Sequence, residues 1–220
     1  MQLFTLDGKG VLAALVLGFI IFFLGSYAGP YFVFVLLLFL ILSALVTGMG
    51  KKTKAEIGDY DRPRGWKNVV ANGIVAFAVA LAFFINLHIH FASSLLLIVA
   101  YTASMSSVTA DKFASEIGIL DGTPVMLLNL KKVRKGTSGA MTALGTLSSF
   151  AGAFLLALSL LLVYFSAAYL LLIAVSGFLG AVADTVLGYF EEKGIGNKYT
   201  SNIGCAIVGT VLAVLLAVYL

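Results

Sequence analysis

The chain has 220 residues, 61% of them hydrophobic and 11% charged, with a formal net charge of +4. A soluble domain carries roughly 25% charged residues, so a water-covered surface is excluded, and the mean hydropathy of +1.07 points to a bilayer. The single cysteine, Cys205, excludes an intrachain disulfide and a cysteine-based metal site.

Apolar runs of about 20 residues, enough to cross a bilayer, recur along the chain. They predict an all-α, polytopic membrane protein of about seven helices, at 11–28, 31–49, 67–86, 93–115, 138–164, 167–190 and 201–219. The first run lacks the basic start of a cleavable signal apart from Lys9, and another span follows at once. Gly29-Pro30 divides the first two runs, because proline cannot continue a helix. Only Ser43 and Thr47 interrupt their apolar faces. Within a single membrane domain, residues 1–50 are therefore expected to be a peripheral hairpin, serving as scaffold or homodimer contact, beside a catalytic bundle over 62–220.

The third helix opens with Asn68 and Asn72 one turn apart, behind Arg62, Arg64 and Lys67, with Trp66 as an interfacial anchor. Asn86-Leu-His-Ile-His90 reads as a short polar turn at the outer surface, where His88 and His90 have no acidic partners for a metal. The fourth helix carries Ala100, Ser104, Ser107, Asp111 and Ser115 at spacings of three and four, which place them on one face. In the sixth, Gly177, Gly180, Asp184, Gly188 and Glu191 do the same. An ionised carboxylate within a span costs a few kcal/mol or more unless it is paired or solvated in a cavity. Small residues let helices approach closely, so both aspartates are expected to face neighbouring helices.

Between these helices lies a basic segment. The periodicity of Asp121-Gly-Thr-Pro-Val-Met-Leu-Leu-Asn129 does not choose between a short hairpin and an interfacial segment. Lys131-Lys-Val-Arg-Lys-Gly-Thr-Ser-Gly139 then runs into an apolar helix. If Thr137 or Ser138 caps that helix, its free N–H groups and dipole face the same spot as Lys132, Arg134 and Lys135, which makes an anion site. The lysines equally suit anionic lipid headgroups. The last helix begins with Asn202 behind Lys198 and Tyr199.

With the N-terminus inside, all 14 Lys and Arg fall on one side of the membrane, which the positive-inside rule makes cytoplasmic, and the C-terminus lies outside. The ten Asp and Glu fall on that side or in the adjoining half of the membrane. The topogenic rule does not ask this of acids, which suggests that this face holds an active site. The chain also contains a degenerate repeat. Ala110-Asp111 and Ala183-Asp184 end helices of the same direction, and Thr137-Ser138-Gly139 and Thr200-Ser201-Asn202 open the return helices. A parallel repeat implies an axis along the membrane normal and two aspartates facing a shared site.

Four segments carry a family resemblance: Val70-Ala-Asn-Gly73, Ala110-Asp-Lys-Phe-Ala-Ser-Glu-Ile-Gly118, Lys132-Val-Arg-Lys-Gly-Thr-Ser-Gly139 and Gly180-Ala-Val-Ala-Asp-Thr-Val-Leu-Gly188. From about residue 62 onward the chain resembles an integral membrane family that includes transmembrane protein nineteen and the plastid phytyl-phosphate kinase of vitamin E synthesis. It is similar in outline to polyprenol kinases and lipid cytidylyltransferases. It departs at Lys112, where the family prefers threonine. The resemblance implies phosphorylation of an isoprenoid monophosphate to the diphosphate, with CTP as donor.

Residues and resemblance together give one expectation. Asp111, Glu116 and Asp184 hold Mg²⁺; Lys132, Arg134, Lys135, Gly136, Thr137, Ser138 and Gly139 hold nucleotide phosphates; Asn72, Ser115 and Asn202 orient substrate. The partners are the bilayer, a prenyl phosphate and a nucleotide, with no nucleic acid. A cytidylyltransferase needs the same parts. A small-molecule transporter, the reading from another class, needs polar groups along a complete crossing path.

Overall fold

The computed structural model describes residues 5–56 and 64–220, without the side chains of residues 51 and 52. Arg62, Asp59 and Asp61 lie outside the described residues. The order is α1 (Gly8–Leu24), a 3-10 turn (Ser26–Ala28), α2 (Gly29–Thr47), a short α3 (Lys51–Glu56), α4 (Trp66–Ile89), α5 (Ser94–Gly118), β1 (Val125–Met126), β2 (Ala140–Met141), α6 (Ala143–Ala157, prolonged by a 3-10 turn to Leu162), α7 (Ala167–Glu191) and α8 (Lys198–Ala217). The fold is that of an all-α polytopic membrane protein. Six of the helices are long and apolar enough to cross a membrane. The predicted first span, α1, has 17 residues, or about 25 Å at 1.5 Å per residue, a little short of a hydrocarbon core of about 30 Å.

Several boundaries differ from the sequence reading for local reasons. Asp7 caps α1 through Gly10 N–H at 2.6 Å, so that helix starts earlier. Pro30 does not break the chain but sits in the first turn of α2, where its missing N–H costs nothing. The polar stretch near His90 is not a turn throughout: α4 runs to Ile89, His90 adopts a left-handed cap, and buried Asn86 accepts the N–H of Ala92 at 2.8 Å. The largest shift is at α6, which begins at Ala143 rather than 138. Gly136 and Gly139 take φ of +84° and +76°, in the left-handed region that a helix start cannot use. Thr142 caps α6 instead, accepting from Gly145 N–H at 3.0 Å. Asp121 reinforces this start by accepting Leu144 N–H. The N–H groups of Leu144 and Gly122 hold the Asp121 carboxyl below the usual carboxylate range.

Helix α5 is the axis of the bundle, packing on α2, α4, α6, α7 and α8. Its hydroxyls serve this burial. Ser107 and Thr109 bond back to the carbonyls of Ala103 and Met105 at 2.9 and 2.7 Å. Thr102 joins Tyr31 of α2 at 2.7 Å, and Tyr31 reaches Ser159 at 3.2 Å. A methyl at Gly180 would come within 2.6 Å of Ser107 Oγ, and one at Gly177 would meet Ser106 Cβ at 2.9 Å. Serines on α5 thus fill the glycine positions of α7.

The peripheral elements are fastened at one buried ionic cluster. Glu116 of α5 accepts from Thr47 of α2 at 3.1 Å and from Arg64, ahead of α4, at 3.3 Å, and it also pairs with Lys54 of α3 and Lys112. Arg64 additionally donates to Ser43 at 2.8 Å and Thr47 at 2.9 Å. Removing one member of a buried charge cluster leaves the others uncompensated, at a cost of about 3 kcal/mol. Glu116→Gln is therefore expected to lower the thermal midpoint of the detergent-solubilised protein markedly. A melting curve matching wild type would refute this role for Glu116.

Candidate functional site

Asp111 and Asp184 each stand seven residues before the last residue of their helices, Gly118 in α5 and Glu191 in α7. At 1.5 Å per residue they lie about 10 Å inside the ends. Serine-on-glycine packing brings α5 and α7 together, and the two carboxyl groups become neighbours on one cavity. Asp184 Oδ1 is buried with no hydrogen-bond partner. Two carboxyl groups this close share either a proton or a cation. Cys205 is buried beside the pair.

The aspartates form one wall of a cavity of about 340 Å³. Facing them is the segment from Lys135 to Gly139. Ser115 and Lys198 also line the cavity, as does Ser149, whose buried hydroxyl has no partner. The segment is pressed on α7 at two glycines: a Cβ at Gly188 would meet Gly139 Cα and Ser138 Oγ, each at 2.9 Å. Lys135 is anchored by its bond to Ile119 O at 2.9 Å. Lys198, the first residue of α8, turns its positive charge toward Asp184.

A carboxylate clasp closes the α7–α8 corner over this loop. Ser138 N–H donates to Glu192 Oε1 at 2.9 Å, and Ser138 Oγ–H donates to Glu191 Oε2 at 2.7 Å. The hydroxyl of Ser201 donates to the other oxygen of Glu191. Ser138 and Ser201 are the equivalent positions of the internal repeat, so one carboxylate joins its two halves.

Asp111, Ser115, Lys135, Gly136, Thr137, Ser138, Gly139 and Asp184 therefore converge on one cavity, as the sequence suggests. The structure does not bring Glu116, Lys132, Arg134, Asn72 or Asn202 to its lining. Glu116 follows Asp111 by five positions, about 140° around the helix, and turns to the cationic cluster instead. Lys132 and Arg134 are exposed on the loop. Asn202 donates to Asn72 at 2.6 Å, joining α8 to α4. Thr137 and Ser138 lie in the loop and do not begin α6. Lys198, Glu191, Glu192 and Ser201 are the site residues that the sequence reading left unassigned. For Glu191 its place on the Gly177–Gly188 stripe was a signal, and for Ser201 the repeat was.

Residues 1–204 match the family described as integral membrane protein DUF92. The chain belongs to this family. Over 216 residues the DUF92 chain is 35% identical to uncharacterized membrane protein MJ0933 of Methanocaldococcus jannaschii, covering 96% of this chain and 85% of that protein. It is 34% identical over 130 residues to uncharacterized membrane protein sll0875 of Synechocystis, covering 56% of this chain and 48% of the relative. No solved structure matches.

No cluster of three or more metal-ligating side chains occurs among the described residues. The pair Asp111–Asp184, with an unsatisfied buried oxygen, fits an ion that takes one or two protein carboxylates and completes its shell with phosphate and water, which is the habit of Mg²⁺. The close approach at Gly188 sets the cavity's shape. Gly188→Ala forces the loop off α7, and overpacking of this kind costs about 1–3 kcal/mol. A lowered thermal midpoint, with faster proteolysis in the 135–142 loop, is the expected outcome. Unchanged melting and cleavage would show that the loop does not rest on Gly188.

Proposed function

We propose that this membrane protein is a prenyl-phosphate kinase, transferring a phosphoryl group from a magnesium nucleotide, CTP by resemblance, to an isoprenoid monophosphate. The observation that carries the reading is the facing of Asp111 and Asp184 with Lys135 and the Gly136–Gly139 loop across one cavity. Carboxylates suit a cation and the loop suits phosphate oxygens. The resemblance to the phytyl-phosphate kinase supports the choice of reaction.

The attacking atom is an oxygen of the acceptor monophosphate. It is already anionic near neutral pH, so the site needs no strong base. A bond forms from that oxygen to the terminal phosphorus of the donor, and the bond from this phosphorus to the nucleoside diphosphate breaks. Catalysis then consists of positioning and charge neutralisation. Lys135 and Lys198 gather phosphate charge. The Ser138 hydroxyl and N–H, which hold the carboxylates of Glu191 and Glu192, are donors that a phosphate takes over. Mg²⁺ held by Asp111 and Asp184 would neutralise charge on the transferring group.

A CTP-dependent cytidylyltransferase would use the same cavity but release pyrophosphate. The transporter reading is disfavoured by the packing: Ser106 and Ser107 fill the glycine positions of α7 beyond the cavity. We further propose that the charged end of the bundle, where Leu6 and Arg64 bridge and Lys198 begins α8, is cytoplasmic. The N-terminus is then inside and the C-terminus outside the cell membrane. Reporter fusions at the two termini are expected to report opposite sides, and the same side for both would overturn this orientation.

The activity test is turnover of purified protein on a panel of prenyl monophosphates with CTP, ATP, GTP and UTP, labelled at the terminal or the α phosphorus. Label appearing in the lipid from the terminal phosphorus identifies the kinase, and label from the α phosphorus identifies the cytidylyltransferase. Asp111→Asn and Asp184→Asn keep size and hydrogen bonding but remove charge. Each is expected to lower kcat by about 10²–10³-fold with little change in thermal midpoint. Near wild-type turnover by Asp184→Asn, with unchanged Mg²⁺ dependence, would sink the two-aspartate site and the kinase reading with it.

A further inference from the structure

The 119–142 loop has two faces, and only one serves the cavity. Lys135 to Gly139 line the cavity. On the other face, Leu128 and Leu130 are 48% and 76% exposed. Leu130 holds a left-handed φ of 54°, a conformation that costs a leucine energy. Lys131, Lys132 and Arg134 are exposed beside them, and none makes an ion pair among the described residues. The loop's acid, Asp121, does not oppose them, because Leu144 and Gly122 hold its carboxylate against the start of α6.

The position of this face matters. Leu127 and Leu130 border a groove of about 430 Å³ whose far wall is Met141, Ala143 and Thr146. The next residue of α6, Leu147, is 69% exposed on a helix apolar enough to span a membrane. The groove thus opens where the lipid-facing surface of α6 begins.

We propose that this loop is a membrane-docking element. Leu128 and Leu130 enter the acyl region of the adjoining leaflet, and Lys131, Lys132 and Arg134 pair with anionic lipid headgroups. Exposed leucines flanked by unpaired cations complement an anionic leaflet at both depths. Docking would set the cavity-lining half of the same loop against the leaflet. It does not depend on which reaction the cavity runs.

The test uses the full chain in nanodiscs, with Trp66→Phe to silence the native fluorophore and Leu130→Trp as probe. Lipids brominated near the headgroup end of the acyl chains serve as quenchers. Quenching at least about two-fold stronger in phosphatidylglycerol than in phosphatidylcholine, and lost in a K131Q/K132Q/R134Q background, is expected. No quenching in either lipid would overturn the insertion. Equal quenching in both would overturn recognition of anionic headgroups. Leu128→Trp provides a second probe should the first variant fail to fold.

Discussion

The close approach of α5 and α7 is the constraint on which the rest depends. In a bilayer, lipid is as apolar as leucine, so helix pairs gain little from hiding apolar surface and rely on contact and hydrogen bonding. Here the contact is made by Ser106 and Ser107 filling the positions of Gly177 and Gly180, while Gly209 of α8 leaves room for Ser107 from the other side. A side chain at any of these glycines would move the helices apart, and Asp111 and Asp184 would no longer reach each other. The glycine stripe and the carboxylate pair are one device, since the first fixes the distance that gives the second its chemistry.

The ionic groups are divided between two places with different physical logic. Around Glu116, the cations of Lys54, Arg64 and Lys112 are sealed against one carboxylate, and Thr47 ties the N-terminal hairpin to it. Around Asp184, a buried oxygen remains unpartnered beside an open cavity. Satisfied charge makes a joint, whereas an unpartnered buried oxygen beside space invites a ligand. The clasp at Glu191 belongs to the second place. There Glu191 takes the hydroxyls of Ser138 and Ser201 and Glu192 takes the Ser138 N–H, donors of the kind that would serve any other anion.

Much of this was legible in the sequence where the signal is periodic. The helices and the faces of Asp111 and Asp184 follow from spacings of three and four, and the match between Ser138 and Ser201 follows from the repeat. Glu116 misled because it lies within the same short segment as Asp111, yet five positions on a helix point nearly to the opposite side. The cations misled for a related reason. A run of basic residues does not say which of them face inward, and only Lys135 does so, fixed by Ile119 O. The start of α6 was out of reach because Thr137, Ser138 and Thr142 are all competent caps. The left-handed φ at Gly139 decided among them, and a sequence shows only that glycine permits it.

The depth of the pair bears on how charged partners reach it. With α5 and α7 ending at the membrane surface, two turns inside the helix ends, about 10 Å, would lie below the plane in which lipid phosphates rest at the edge of a core of about 30 Å. On the kinase reading, both phosphorylated partners must be drawn inward to meet the aspartates, against the cost of leaving water. Carboxylates alone would repel them. The cations nearest the cavity, Lys135 at the mouth of α6 and Lys198 at the start of α8, stand on opposite halves of the repeat. On that reading, Lys135 and Lys198 would offset the charge of the aspartates as the phosphates enter. Cations beside the carboxylates are what a site must have if two anions are to be brought together over a shared metal.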